Sequence, residues 1–286
     1  MTGSANLRGS LFMVAAMAGF AVEDAFLKAA TQEVAVGLAL VILGLAGVGV
    51  FSVVALRAGA APLPRSIVSR TMALRSGFEI VGRLFYALAI ALTPISTASA
   101  ILQATPLVVV LGAALIFGES ISWRRWALIV LGFVGVLIIL RPGLEGFSAL
   151  SLLALVAMAG FAGRDLATRA APLTLSNAQL GVTGFIMLAL SGAIILAVTG
   201  RVALPSPAAW GLLAGASLFG ILAYAALTQA MRTGAVGSIT PFRYARLVFA
   251  VVLGVGVFGE RPDAATLAGS AIIVACGVIL LTKRDL

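Results

Sequence analysis

Charged side chains stand inside runs that are otherwise apolar. Glu23 and Asp24 fall in the far half of one run, with Lys28 four residues beyond Asp24. Arg75, Glu79 and Arg83 follow at four-residue steps, which places all three on one face of a helix. Arg243, Tyr244 and Arg246 follow Pro241 inside a third run. A carboxyl in such a place can carry a proton or meet a cationic group. A guanidinium can take a carboxylate or phosphate in its fork. Either group must point at other protein or at a water-filled cavity, because hydrocarbon solvates neither. Structural readings compete at each position. Asp24 and Lys28 can form a local pair. Glu79 can be a buried partner of Arg75 and Arg83, and a carboxylate flanked by two guanidiniums is a poor proton carrier. Arg75 can also snorkel towards the cytoplasmic side. Arg243 lies nearest the middle of its run and is the foremost candidate for contact with a solute, or for pairing with the carboxylates of the first or third run. Glu23, Asp24, Glu79 and Arg246 are the candidates for coupling or ion pairing.

Tyrosine is rare here, with three residues against 15 phenylalanines. Tyr86, in Phe85-Tyr86-Ala87-Leu88, and Tyr224, in Ala223-Tyr224-Ala225-Ala226-Leu227, sit at matching places in the two halves. A phenol in an apolar run wants a partner. The two tyrosines are expected to supply one as a facing pair at a central cavity, or else each bonds to backbone. Gln103 is a further cavity candidate, and Thr105-Pro106 marks a distortion nearby. The chain has no histidine and one cysteine, Cys276. That excludes histidine relays, histidine metal sites, thiolate clusters and an internal disulfide. No nucleophile–base set stands out, so neither an enzyme nor a bound cofactor is expected.

These residues need a frame to hold them. The chain is 62% hydrophobic and 10% charged over 286 residues, with a mean hydropathy of +1.16. A soluble domain of that size needs more charge to cover its surface. Apolar runs of membrane-crossing length recur without strict alternation, which points to helices and away from a β-barrel. Ten spans are expected, at about 9–30, 34–55, 70–92, 95–117, 124–140, 148–168, 176–198, 207–230, 235–258 and 264–281. The first reads as a retained span. With the N-terminus cytoplasmic, twelve of the 19 basic residues face the cytoplasm, Arg164 among them. Lys28, Arg141, Arg201 and Arg261 face outward, and Arg83, Arg243 and Arg246 lie within spans. Both termini are therefore placed in the cytoplasm. Trp123, Trp126 and Trp210 suit interface anchors, and Gly44, Gly47, Gly132 and Gly135 suit close helix contact.

Phe117-Gly118-Glu119 and Phe258-Gly259-Glu260 each close a span, 141 residues apart. Five spans per half makes the second copy inverted relative to the first, over 1–142 and 143–286. The stretch from Phe85 through Leu102-Gln103-Ala104-Thr105-Pro106-Leu107 to Glu119, and its partner from Ala230 through Pro241-Phe242-Arg243-Tyr244 to Pro262, resemble the repeat core of the drug/metabolite transporter superfamily. The whole chain is similar to that superfamily's ten-helix branch with two EamA-type repeats.

The resemblance implies an all-α polytopic protein of the cell inner membrane that works by alternating access. It implies a cavity lined mainly by the first, third, fourth, sixth, eighth and ninth spans. It implies a small organic solute as partner: an amino acid, nucleoside, vitamin or related metabolite, often with a proton as coupling ion. Arg83, Arg243 and Arg246 tilt this chain towards an anionic or zwitterionic solute. Basic residues are not clustered on a polar face, so no nucleic-acid partner is expected. A non-transporting membrane sensor or assembly protein is the competing reading, and it requires a fully packed centre.

Overall fold

The computed structural model describes residues 3–117, 122–141, 148–169, 175–200, 204–233 and 240–282. The described residues are helical almost throughout. Helix α1 spans Gly3–Ala30, α2 Val36–Arg57, α3 Arg70–Leu92, α4 Ile95–Leu102, α5 Thr105–Phe117 and α6 Trp123–Leu140. Then come α7 Ser151–Arg169, α8 Asn177–Thr199 and α9 Pro207–Thr233, a 3-10 turn at Thr240–Tyr244, α10 Ala245–Phe258 and α11 Ala264–Thr282. Because α4 and α5 are two halves of one column, the described residues form ten helical columns.

Local chemistry sets the boundaries. Ser69 accepts a hydrogen bond from the Met72 N–H at 3.2 Å and starts α3. Ser176 and Gln179 form a reciprocal capping box at the start of α8. The Gln179 side chain also donates to the Ala61 carbonyl at 2.8 Å. Trp123, Trp126 and Trp210 are exposed near helix starts.

Among the described residues, four helical segments are long and apolar enough to cross a membrane: Leu7–Ala30, Val36–Arg57, Asn177–Thr199 and Pro207–Ala230. At 1.5 Å per residue, some 22 residues cover the ~30 Å hydrocarbon thickness. The other columns are shorter, broken, or carry the charges described below, as α3 and α7 do. The outward surface is apolar, with Leu45, Val53, Leu131, Leu218, Val248 and Val252 all exposed. Charged residues on the same helices' neighbours are buried instead. This inside-out distribution is what lipid demands.

The main helix partners are α1 with α9, α2 with α8, α3 with α7, and α6 with α11. Lipid tails offer no hydrophobic drive between helices, so close backbone approach supplies the cohesion. A Cβ added to Gly44 of α2 would lie 2.5 Å from the Ala189 nitrogen of α8. One added to Gly135 of α6 would lie 2.8 Å from the Gly269 carbonyl of α11. Gly47 packs under Phe185, and Gly132 under Leu107. All four glycines expected at helix contacts are at helix contacts.

Two breaks bring polar backbone into the bundle. Pro106 has no N–H to give the Leu102 carbonyl, and the Thr105 hydroxyl donates to that carbonyl instead, at 2.5 Å. The column therefore breaks at Gln103 and Ala104, just before the Thr105-Pro106 distortion. The second break is the 3-10 turn that contains Pro241 and leads into α10.

The closing Phe-Gly-Glu of the second half has a structural job. Gly259 adopts φ +63°, a left-handed cap, and the Glu260 N–H turns back to the Gly254 carbonyl at 2.9 Å. The Glu260 carboxylate then accepts the Ile95 N–H at 2.7 Å, the Ser96 N–H at 3.1 Å and the Ser96 hydroxyl at 2.7 Å. It thus caps the first turn of α4. Gly118 and Glu119 of the first copy lie outside the described residues.

Candidate functional site

Where the two breaks meet, the bundle holds a central cavity of about 100 Å³. Gln103 Nε2 donates to the Arg243 carbonyl at 3.1 Å and ties the breaks together. Walls come from α1 (Met17, Phe20, Glu23, Asp24, Leu27), α3 (Arg83, Tyr86, Ala87), the α4–α5 break (Leu102, Gln103, Thr105, Pro106), α7 (Phe161, Arg164), α9 (Tyr224, Leu227) and the second break with α10 (Arg243, Tyr244, Arg246). Leu40 of α2 and Leu188 of α8 complete it. Those six walls are the spans implied by the resemblance.

One side is acidic and aromatic. Asp24, 4% exposed, accepts from Arg246 Nη2 at 2.6 Å and from the Tyr86 hydroxyl at 2.9 Å. The Arg246 guanidinium lies over the rings of Phe20 and Tyr86, 5.3 and 5.2 Å from their centroids. Beside it Glu23 is buried against Gly220 of α9, where an added Cβ would come within 2.8 Å of its carboxyl. Among the described residues Glu23 makes no ion pair or hydrogen bond.

The opposite side is basic. Glu79 is fully buried, with Arg75 at 3.1 Å, Arg164 at 3.8 Å and Arg83 at 3.9 Å. Arg164 donates to Asp165 Oδ1 through Nε at 3.0 Å and Nη2 at 2.8 Å, while its face lies over Phe161. Arg243 Nη1 stands 3.6 Å from Asp165 Oδ2, a charge contact too long for a good hydrogen bond.

The structure alters several expectations. Lys28 does not pair with Asp24. It reaches the carbonyls of Thr93 at 2.6 Å and Ile90 at 3.3 Å and stands 3.5 Å from Glu260. Asp24 is taken by a guanidinium from the other half. Arg75 turns inward to Glu79 and does not snorkel. Tyr86 and Tyr224 both reach the cavity, but they do not pair: Tyr224 donates to the Leu180 carbonyl at 3.0 Å. Among the described residues the Tyr244 hydroxyl is buried without a hydrogen bond, against Gly277 of α11. Glu79 lies behind the cavity wall rather than on it.

Two residues of the cluster escaped the sequence reading. Arg164, assigned there to the cytoplasmic surface, lies in the bundle because its position on α7, five residues before the helix end, faces Glu79 of α3. Asp165 was not singled out at all. A signal exists: Met17-Ala18-Gly19-Phe20-Ala21 recurs as Met158-Ala159-Gly160-Phe161-Ala162, at the same 141-residue offset as the Phe-Gly-Glu copies. That register sets Asp165 opposite Asp24 and Arg164 opposite Glu23.

A helical membrane bundle with a charged central cavity at two helix breaks is the architecture of a solute carrier. The chain belongs to the EamA-like transporter family, whose model matches residues 7–141 and again 146–283. It is a multi-pass protein of the inner membrane and a secondary active transporter, and family membership assigns it transport rather than catalysis. It is similar to the S-adenosylmethionine uptake transporter of Rickettsia prowazekii, 26% identical over 208 residues, covering 73% of this chain and 70% of that one. It is similar to the riboflavin transporter of Vibrio cholerae, 29% identical over 182 residues, 63% of this chain and 60% of that one. The pseudopaline exporter CntI of Pseudomonas aeruginosa is 28% identical over 210 residues, 72% of this chain and 74% of that one. One crystal structure shares the fold over 99% of both chains, with a TM-score of 0.60 and 20% identity.

Proposed function

We propose that this protein carries a small zwitterionic metabolite by alternating access between two inverted five-helix repeats, 1–142 and 143–286, with both termini cytoplasmic and a proton as coupling ion. The observation that carries the reading is the cavity itself. Both halves line it, it sits at two helix breaks, and it holds carboxylates on one side and guanidiniums on the other. Such a split suits a solute with an ammonium or other cation at one end and a carboxylate at the other. The relatives are named for organic metabolites, in keeping with that class.

The pairings of helices support the repeats. Exchanging the two halves turns α1 with α9 into α7 with α3, and maps α2 with α8 and α6 with α11 onto themselves. Glu23 is the coupling candidate because its carboxyl borders the cavity without a direct ion pair among the described residues, whereas Asp24 and Glu79 are both held in direct pairs. Tyr86, Tyr224, Gln103, Tyr244 and Arg83 shape the pocket around the solute.

The test is uptake and exchange in proteoliposomes with a panel of amino acids, S-adenosylmethionine, nucleosides and riboflavin. At least one zwitterion should exchange, and an imposed proton gradient should drive its accumulation. Glu23→Gln should keep exchange and lose accumulation. Folded protein that moves no member of the panel would sink the substrate class, and gradient-driven accumulation by Glu23→Gln would sink the coupling role.

A further inference from the structure

Resting on the carrier reading, we infer that Arg243, with Arg164 beside it, is the carboxylate subsite, and that Asp165 is a built-in anion holding the site until a solute carboxylate takes over Arg243. Three observations carry this. First, that wall is basic where it meets the cavity: Arg83, Arg164 and Arg243 all border the space. Guanidiniums beside a cavity inside a membrane bundle suit an incoming anion.

Second, the Arg243 pair is loose where the neighbouring pair is tight. Arg246 donates to Asp24 at 2.6 Å, but Arg243 stands 3.6 Å from Asp165 and hydrogen-bonds to no carboxylate among the described residues. Its side chain is 29% exposed and borders the cavity a solute would fill. A bidentate carboxylate there gains the two short bonds that Asp165 does not provide. Third, Asp165 is positioned to compete. Its Oδ1 is held by the Arg164 fork, which aims Oδ2 at Arg243 from behind the wall.

When a solute carboxylate displaces Asp165 from Arg243, the 3-10 turn Thr240–Tyr244 loses that tie to α7 while Gln103 still holds its backbone. Occupancy is thereby linked to the freedom of α10 relative to α7, the link a carrier needs between binding and movement.

The experiment uses succinate as the probe, titrated at low millimolar concentration against chloride at matched ionic strength, on the purified full-length protein. Binding is read by calorimetry and by thermal unfolding. Wild type should bind saturably. Asp165→Asn removes the competitor and should tighten succinate by at least about fivefold. Arg243→Gln should weaken it by at least about tenfold. Arg243→Lys keeps a charge for Asp165 but lacks the fork. It should fold with an unchanged melting temperature and still bind at least about tenfold more weakly, which covers the case in which Asp165→Asn fails to fold. Arg57→Gln, an exposed change, serves as control and should bind as wild type. Binding in Asp165→Asn no tighter than in wild type, wild-type binding in Arg243→Lys, or no saturable succinate binding in any form overturns the subsite. If the wild type meanwhile exchanges a zwitterion of the panel, the carrier reading stands and only the subsite falls.

Discussion

Glu260→Ala tests how the two halves are joined. Glu260 sits in the turn between α10 and α11, yet its carboxylate accepts three hydrogen bonds from Ile95 and Ser96 at the start of α4 and faces Lys28 of α1. Removal orphans two helix-start N–H groups and leaves Lys28 with the Thr93 and Ile90 carbonyls and the Phe258 ring. A hydrogen bond to a charged group is worth ~1.5–3 kcal/mol, and losing a helix cap costs ~0.5–2 kcal/mol. Glu260 borders an open pocket, so water can reach some of the orphans and the low end applies. The expected loss is about 3 kcal/mol, a fall of about 6–12 °C in melting temperature at roughly 2–4 °C per kcal/mol. Glu260→Gln keeps an acceptor and loses the charge, so it should fall about half as far. Ser96→Ala removes one of the three bonds and should cost about 1 kcal/mol alone, and little more in the Glu260→Ala background. Thermal unfolding in one fixed detergent reads all of these. A Glu260→Ala protein melting within about 2 °C of wild type would refute the capping argument.

Other perturbations follow from the same contacts. Asp24→Asn leaves Arg246 held between two rings without its counter-ion. It should cost ~3–5 kcal/mol, read as loss of folded yield, and Asp24→Asn with Arg246→Gln should recover much of it. Wild-type yield from Asp24→Asn alone would count against the pair. Gly44→Ala pushes a methyl to 2.5 Å from α8, whereas Gly49→Ala meets nothing within 4 Å. The first should destabilise by ~1–3 kcal/mol and the second should be neutral or slightly stabilising, compared by melting temperature. Outside the spans, the Arg141 side chain and the Thr266 N–H hold the Asp263 carboxyl down at about 2, below its ordinary 3.8. A depressed carboxyl lends stability that is full above the ordinary value and is lost as pH falls through the lowered one. The advantage of wild type over Asp263→Asn, at most about 1 kcal/mol at this exposed site, should therefore shrink between pH 4 and pH 2. An advantage that is constant across that window would contradict the contact.

The frame was legible because lipid imposes it. Helix columns fall within a few residues of the apolar runs, since every span needs a similar length and each break carries Pro, Gly or a polar cluster. Charges in spans reported the bundle interior for the same reason: Asp24, Glu79, Arg83, Arg243 and Arg246 could only face inward, and all but Glu79 reach the cavity. Partners were less legible. Whether Asp24 meets Lys28 four residues on or Arg246 of the other half depends on how the columns pack, and local spacing carries no information on that. Arg164 was misplaced because a basic residue near a helix end reads as a surface anchor, and only the position of Glu79 on α3 reverses that reading. Pairing Tyr86 with Tyr224 assumed symmetric partners, but Tyr86 found a carboxylate and Tyr224 a backbone carbonyl.

Symmetry of the chain and symmetry of the site are different things here. Asp24 and Asp165 occupy the same place in the two copies of the Met-Ala-Gly-Phe-Ala stretch, so a strictly duplicated site would give each an arginine from the opposite half. The positions matching Arg243 and Arg246 in the first half are Leu102 and Thr105, which carry no charge. Both aspartates therefore draw on the same short stretch after Pro241, one tightly at 2.6 Å and one loosely at 3.6 Å. The 3-10 turn and the first turn of α10 carry two latches of unequal strength, while the α4–α5 break reaches across through Gln103, which holds its partner by backbone. If the halves rock as near-equal bodies, the two guanidiniums proposed to answer to cargo still sit on one of them. Solute carboxylate should then compete at Arg243 first, because that pair is the longer and the more exposed, and Asp24–Arg246 should hold its half in place while the exchange occurs.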